Sequence, residues 1–88
     1  MDDYGIKFHE VYRHYKGHFY IPINIAINSE TLEPMVVYYN AEDSTQIWVR
    51  PYYGNDHDAG WSDTLIINNE LVPRFEHLDL SFYNTNEN

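Results

Sequence analysis

From Phe19 the apolar residues fall on alternate positions: Phe19, Ile21, Ile23, Ile25 and Ile27, separated by Tyr20, Pro22, Asn24 and Ala26. A two-residue period in β-branched side chains marks a strand with one buried face, so the odd-numbered set is expected to point to the core. Upstream, Val11 to Tyr15 is rich in aromatic and β-branched types. Lys16-Gly17 supplies a turn with a residue that accepts positive φ, which predicts a first hairpin. Pro22 has no amide hydrogen and is expected at a sheet edge, a bulge or a bend between sheets. The polar stretch Asn28 to Pro34 reads as a turn, Met35 to Tyr39 as a third strand and Asn40 to Thr45 as a second polar connection. Gln46 to Arg50 predicts a fourth strand with Ile47 and Val49 on one face and Trp48 and Arg50 on the other. The pattern lapses from Tyr52 to Ser62, where Gly54, Asn55, Asp56, Asp58 and Gly60 indicate a loop. A short strand at Leu65 to Ile67, a turn at Asn68-Asn69 and a last strand from about Leu71 to Leu78 complete the pattern. No amphipathic helix of useful length appears, and the polar stretch from Ser81 to Asn88 is expected to fray.

These short strands predict an all-β fold, a small barrel or strongly bent sheet of about five strands. The 88 residues make one domain, and a chain of this size buries only about 60 to 65 % of its unfolded surface. The expected organisation is an N-terminal arm over 1–10, a β-barrel core over 11–78 and a tail over 79–88. The hydrophobic content of 43 % includes nine tyrosines, which place the chain in the globular class because aromatic rings bury large areas. There is no cysteine, so neither disulfides nor thiolate metal ligands hold it together, and a reducing cytoplasm is the natural setting. Met1-Asp2-Asp3-Tyr4 lacks the apolar core of a signal peptide. No apolar run reaches membrane-spanning length, so no membrane partner is expected.

Fourteen acidic against five basic residues give a net charge of -9, which repels phosphate backbones and argues against non-specific nucleic-acid binding. Against that background the cations are placed selectively. Four of the five sit in aromatic- or proline-flanked clusters: Tyr12-Arg13-His14-Tyr15-Lys16, Trp48-Val49-Arg50-Pro51 and Val72-Pro73-Arg74-Phe75.

Those clusters, together with Ser29-Glu30-Thr31-Leu32-Glu33-Pro34-Met35-Val36-Val37-Tyr38, resemble the successive motifs of the small bacterial family called domain of unknown function 1653. The resemblance spans roughly Val11 to Glu76. It implies an SH3-like β-barrel of unassigned activity. Three departures stand out. Ile27-Asn28 occupies the place of an Arg-His pair, Asn24 replaces a glycine of the preceding strand, and the stretch from Tyr52 to Gly60 is longer than the usual link to the following aromatic, here Trp61.

The candidate contact residues are Tyr12, Arg13, His14, Glu30, Trp48 and Arg50. Guanidinium forks bind carboxylates or phosphates in a bidentate manner, so Arg13, Lys16, Arg50 and Arg74 suit an anionic ligand if they converge. The alternative is that they pair with the chain's own acids or stack on its rings. His14, Ser29 and Glu30 are the residue types of a hydrolytic constellation, but Ser29 and Thr31 serve equally to close a turn while Glu30 stays solvated. His9, His14 and His18 fit no zinc spacing, and Asp56-His57-Asp58 lacks the ladder of a calcium loop, so no metal site and no cofactor are expected. The reading is a non-catalytic binding or adaptor module for a protein, peptide or small anionic ligand. Two alternatives remain: a small hydrolase or nucleic-acid-processing enzyme using His14, Glu30 and Arg50, and a single-stranded nucleic-acid binder.

Overall fold

The computed structural model describes residues 4–79; the expected fraying from Ser81 to Asn88 lies outside them. Seven strands follow one another: β1 (Tyr12–His14), β2 (Phe19–Ile27), β3 (Pro34–Asn40), β4 (Asp43–Pro51), β5 (Thr64–Ile67), β6 (Glu70–Pro73) and β7 (Phe75–His77). Among the described residues there is no helix. The strands form an antiparallel five-stranded sheet in the order β4-β3-β2-β1-β7 and a separate β5-β6 ribbon. The chain is thus a small all-β protein of SH3-like type, with seven strands rather than about five. Its main sheet is open, with β4 and β7 as edges, so of the small barrel or bent sheet expected it does not close as a barrel.

The long strands lie close to where the alternation put them, but β2 does not keep one face throughout. Its register with β3 passes from Pro22↔Tyr38 directly to Asn24↔Val37, leaving Ile23 as the extra residue of a bulge. An extra residue exchanges the two faces of the strand beyond it. Before the bulge Tyr20 packs on the core and the side chain of Pro22 is fully buried, while Phe19, assigned to the core by the alternation, is 37 % exposed. Beyond the bulge Ile25 packs inward. Pro22 sits at the irregularity, where its missing amide hydrogen disrupts no regular ladder.

The last expected strand is two. At Arg74 the chain changes partners: the Arg74 N–H donates to Asp63 O at 2.8 Å, and the Arg74 carbonyl accepts from Tyr15 N–H at 2.9 Å. Residues before it pair with β5 and residues after it with β1. The Asn68-Asn69 turn of the ribbon has φ of 52° and 67°, the paired left-handed geometry of a two-residue hairpin that Asn tolerates. Gly17, at φ 106°, closes the β1–β2 hairpin with its N–H on His14 O.

The core is small and mostly aromatic: Ile6, Tyr12, Val36, Tyr38, Trp61 and Phe75. Trp61 stacks on Phe75 with centroids 4.0 Å apart and planes at 6°, and meets Tyr12 and Tyr38 at 5.3 and 5.2 Å. The segment before β1 contributes Ile6 and Phe8, tied down by Lys7 N–H to Tyr12 Oη at 2.9 Å and His9 N–H to Pro22 O at 2.7 Å.

Val36 is fully buried, whereas Val49 on β4 is 55 % exposed. Val36→Ala is therefore expected to lower the unfolding free energy by about 2 kcal/mol through lost burial and a residual cavity. Val49→Ala should stay within about 0.5 kcal/mol of the parent. Urea denaturation of both variants checks the contrast, and equal costs would contradict the assigned faces.

Candidate functional site

The strand pairings bring part of the expected contact set together. On β1, Tyr12 and His14 share the inner face while Arg13 points the other way, opposite Phe19 and Glu76. On β4, Arg50 and Trp48 share one face, as the alternation predicted, and stand opposite Val36 and Tyr38, which makes it the core-side face. Phe75 on β7 lies opposite His14. His14, Arg50 and Arg74 thus border one group of rings formed by Tyr15, Tyr38 and Phe75.

The Arg50 guanidinium lies 5.0 Å from the Phe75 centroid and 5.6 Å from that of Tyr38. Its Nε donates to Tyr38 Oη at 3.0 Å, with a longer contact of 3.5 Å to Ala59 O. It makes no ion pair among the described residues. Arg74 lies 5.3 Å over Tyr15 and its Nε stands 3.8 Å from Asp63 Oδ2, yet that buried Nε has no hydrogen-bond partner. Lys16 reaches the Tyr15 ring at 5.8 Å. Cations over ring faces are attracted by the π quadrupole without spending a hydrogen-bond donor on the ring.

His14 registers this arrangement. Its pKa is held down to about 4, first by burial and then by the positive fields of Arg50, Arg74, Lys16 and His18. The imidazole is neutral at pH 7, and its Nδ1 accepts Lys16 N–H at 3.2 Å, which places the ring proton on Nε2.

The remaining candidates stand apart from this group. Tyr12 is 6 % exposed, packs on Trp61 and offers its hydroxyl to Lys7 N–H, so it is a core residue and not part of a contact surface. Arg13 occupies the opposite face of β1. Glu30 sits in the exposed turn between β2 and β3, where Asn28 Oδ1 accepts the N–H groups of Glu30 and Thr31 at 2.8 and 3.2 Å. The turn is closed by Asn28 and by Thr31, whose hydroxyl accepts Glu33 N–H at 3.3 Å; Ser29 has no such role. Trp48 is 49 % exposed at the rim of the group.

The segment between β4 and β5 adds what the motifs did not. Asn55 Oδ1 accepts His57 and Asp58 N–H, each at 2.8 Å, folding the loop upon itself. Gly60 passes so close to the backbone of Tyr53 and Gly54 that a Cβ there would collide with it. Trp61 N–H then donates to Pro51 O at 2.9 Å. Residues 57–59 consequently lie between two hollows. One, of about 410 Å³, is bordered by Met35, Tyr38, Trp48 and Arg50; the other, of about 520 Å³, by Asn55, Asp63 and Arg74. The paired glycines at 54 and 60 were the sequence signal for this fold-back. Among the described residues no group of three His, Asp or Glu could hold a metal ion.

The family model described as "Protein of unknown function (DUF1653)" matches residues 10–77. The chain belongs to the DUF1653 family. Its fold is similar to the crystal structure of a DUF1653 protein from Bordetella bronchiseptica, with 28 % identity, a TM-score of 0.67, and coverage of 88 % of this chain and 92 % of that one. No protein of curated function matches. The DUF1653 match begins before β1 and ends with β7, so it encloses the His14–Arg50–Arg74 group. No described helix of this DUF1653 protein is long and apolar enough to cross a membrane.

A depressed His14 pKa means that the unfolded chain binds a proton which the folded chain refuses between about pH 4 and the ordinary value of 6.5. His14 therefore contributes stability that is fully present above pH 6.5 and is lost as pH falls through that window. NMR titration should find the imidazole titrating near pH 4. Arg50→Gln should move it upward, whereas Arg13→Gln, on the far face, should leave it in place.

Proposed function

We propose that this protein is a non-catalytic binding module that receives an anionic group on the face bordered by Arg50, His14 and Arg74. The observation that carries this reading is the distribution of positive charge. Three of five Lys and Arg residues in a chain of net charge -9 act on one imidazole, and Arg50 among them has no acidic partner within the described residues. If those cations only balanced internal charge, fourteen available carboxylates would be expected to claim them. Of the three, only Arg74 stands near a carboxylate among the described residues, that of Asp63, while Arg50 and Lys16 lie over rings, and Arg50 spends its Nε on Tyr38 and a long contact on Ala59 O but no donor on an acid.

The net charge restricts the ligand. A small positive field inside an acidic envelope favours a ligand with one or two negative charges, a carboxylate- or phosphate-bearing protein segment, peptide or small molecule. A polyanion would meet long-range repulsion from the rest of the surface, which disfavours single-stranded nucleic acid. The hydrolytic alternative built on His14, Glu30 and Arg50 draws no support from the geometry. Glu30 is held in the exposed β2–β3 turn, with its N–H on Asn28, and a His14 that stays neutral to about pH 4 is a weak general base.

Acetate and inorganic phosphate, titrated separately into isotope-labelled protein, test the reading. Both should shift the Arg50 Nε and His14 ring signals, and Arg50→Ala should weaken the response by about tenfold, the effect of losing one charge-assisted contact. Arg13→Ala should respond as the parent does. Shifts spread over other surfaces, or an undiminished response in Arg50→Ala, would dispose of the proposal.

A further inference from the structure

The edge formed by β4 has a property that the anion site alone does not account for. Tyr52 N–H donates to Pro34 O at 3.0 Å and Pro51 O accepts from Trp61 on the opposite side. By the alternation of an antiparallel ladder, the backbones of Arg50 and Trp48 turn toward β3, and those of Ile47 and Val49 turn outward. Among the described residues nothing hydrogen-bonds to those outward groups. Trp61 and Ser62 pair with the chain at Pro51 and Tyr52, and residues 57–59 border the hollow beside Val49, Arg50 and Pro51, so the outward groups left without a hydrogen-bond partner are those of Val49 and Ile47.

The side chains on this edge are equally uncovered. Ile47, Trp48 and Val49 are 61 %, 49 % and 55 % exposed, three consecutive apolar residues with no lysine to guard the strand. Trp48 and Arg50 stand two residues apart on the face that borders the 410 Å³ hollow. An extended segment laid along the edge would place its own alternate side chains opposite these two.

We propose that β4 accepts an extended peptide as an additional strand along Ile47 to Arg50, with a carboxylate opposite Arg50 and an apolar side chain, two positions away, opposite Trp48. This rests on the anion reading above and names its ligand. Charge selects this occupant over a second copy of the chain. Pairing two chains of net charge -9 edge to edge opposes like charge, whereas a short segment with one carboxylate meets Arg50 with limited repulsion. Main-chain hydrogen bonds to Ile47 and Val49 provide the affinity, and the two side-chain positions provide the selection.

A display library of short random peptides, selected on the intact protein and counter-selected on Arg50→Ala, provides the probe. Enriched sequences should carry an acidic and an apolar residue two positions apart. The best of them should slow amide exchange at Ile47 and Val49 by about tenfold or more. Replacing its carboxylate by an amide, or N-methylating its inward-facing backbone, should each weaken binding by about tenfold. No enrichment over the counter-selection, or binding that leaves Ile47 and Val49 exchange unchanged, overturns strand addition. Protection of those amides in peptide-free protein, accompanied by a dimer in sedimentation, overturns it in favour of a second copy. Acetate shifts at Arg50 without a strand-adding peptide would leave the anion reading standing and remove this one; the absence of both would remove the two together.

Discussion

The stack of Trp61 on Phe75 is the contact on which both fold and candidate site depend. A chain of this length has few fully buried positions, and here six residues form the buried core, four of them aromatic. Rings supply more buried area per position than aliphatic side chains, and such a pair adds about 0.5–1.5 kcal/mol beyond area alone. The stack joins the end of the long loop to the closing strand. With Trp61 fixed there, its N–H meets Pro51 and covers one end of the β4 edge. With Phe75 fixed, its ring underlies the Arg50 guanidinium at 5.0 Å. Removing either ring would therefore disturb packing and charge placement together.

The legible part of the sequence was local. Alternation placed β2 and β3 close to their observed limits, β4 begins at Asp43 inside the stretch read as a polar connection, and Gly17 and the Asn68-Asn69 pair marked turns through their tolerance of positive φ. What failed was parity across a long strand. The run of isoleucines in β2 obeys a two-residue period, but the bulge at Ile23 exchanges faces, and a bulge arises from pairing with β3 rather than from local preference. The break at Arg74 was hidden for the same reason. Residues 71–78 form a continuous β-like run, and only the hydrogen bonds to Asp63 and Tyr15 reveal that two different sheets share it.

The candidate site was half legible on the same terms. Arg50 and Trp48 share a face because they are two apart on one strand, and sequence gives that directly. Convergence with His14 and Arg74 requires the order β4-β3-β2-β1-β7 and the change of sheet at Arg74, both long-range facts. Tyr12 shows the converse. Its neighbours in the chain suggested a contact residue, but its strand parity turns it inward beneath Trp61, while adjacent Arg13 faces the other side.

The open sheet also poses a problem that the chain solves unequally at its two edges. β7 has only three residues, which leaves little backbone to recruit another strand. β4 has nine, but its ladder to β3 steps from Tyr39↔Ile47 to Asn40↔Asp43, so residues 44–46 bulge out of register at one end. Trp61 occupies the other end, at Pro51. Between these two blocks lies a four-residue window, Ile47 to Arg50, with apolar side chains on both faces. A strand guarded at both ends and uncovered between them differs from one left unprotected along its length, because only a short, extended segment has access. Arg50 lies within that window, held over Tyr38 and Phe75 by the same aromatic packing that forms the core.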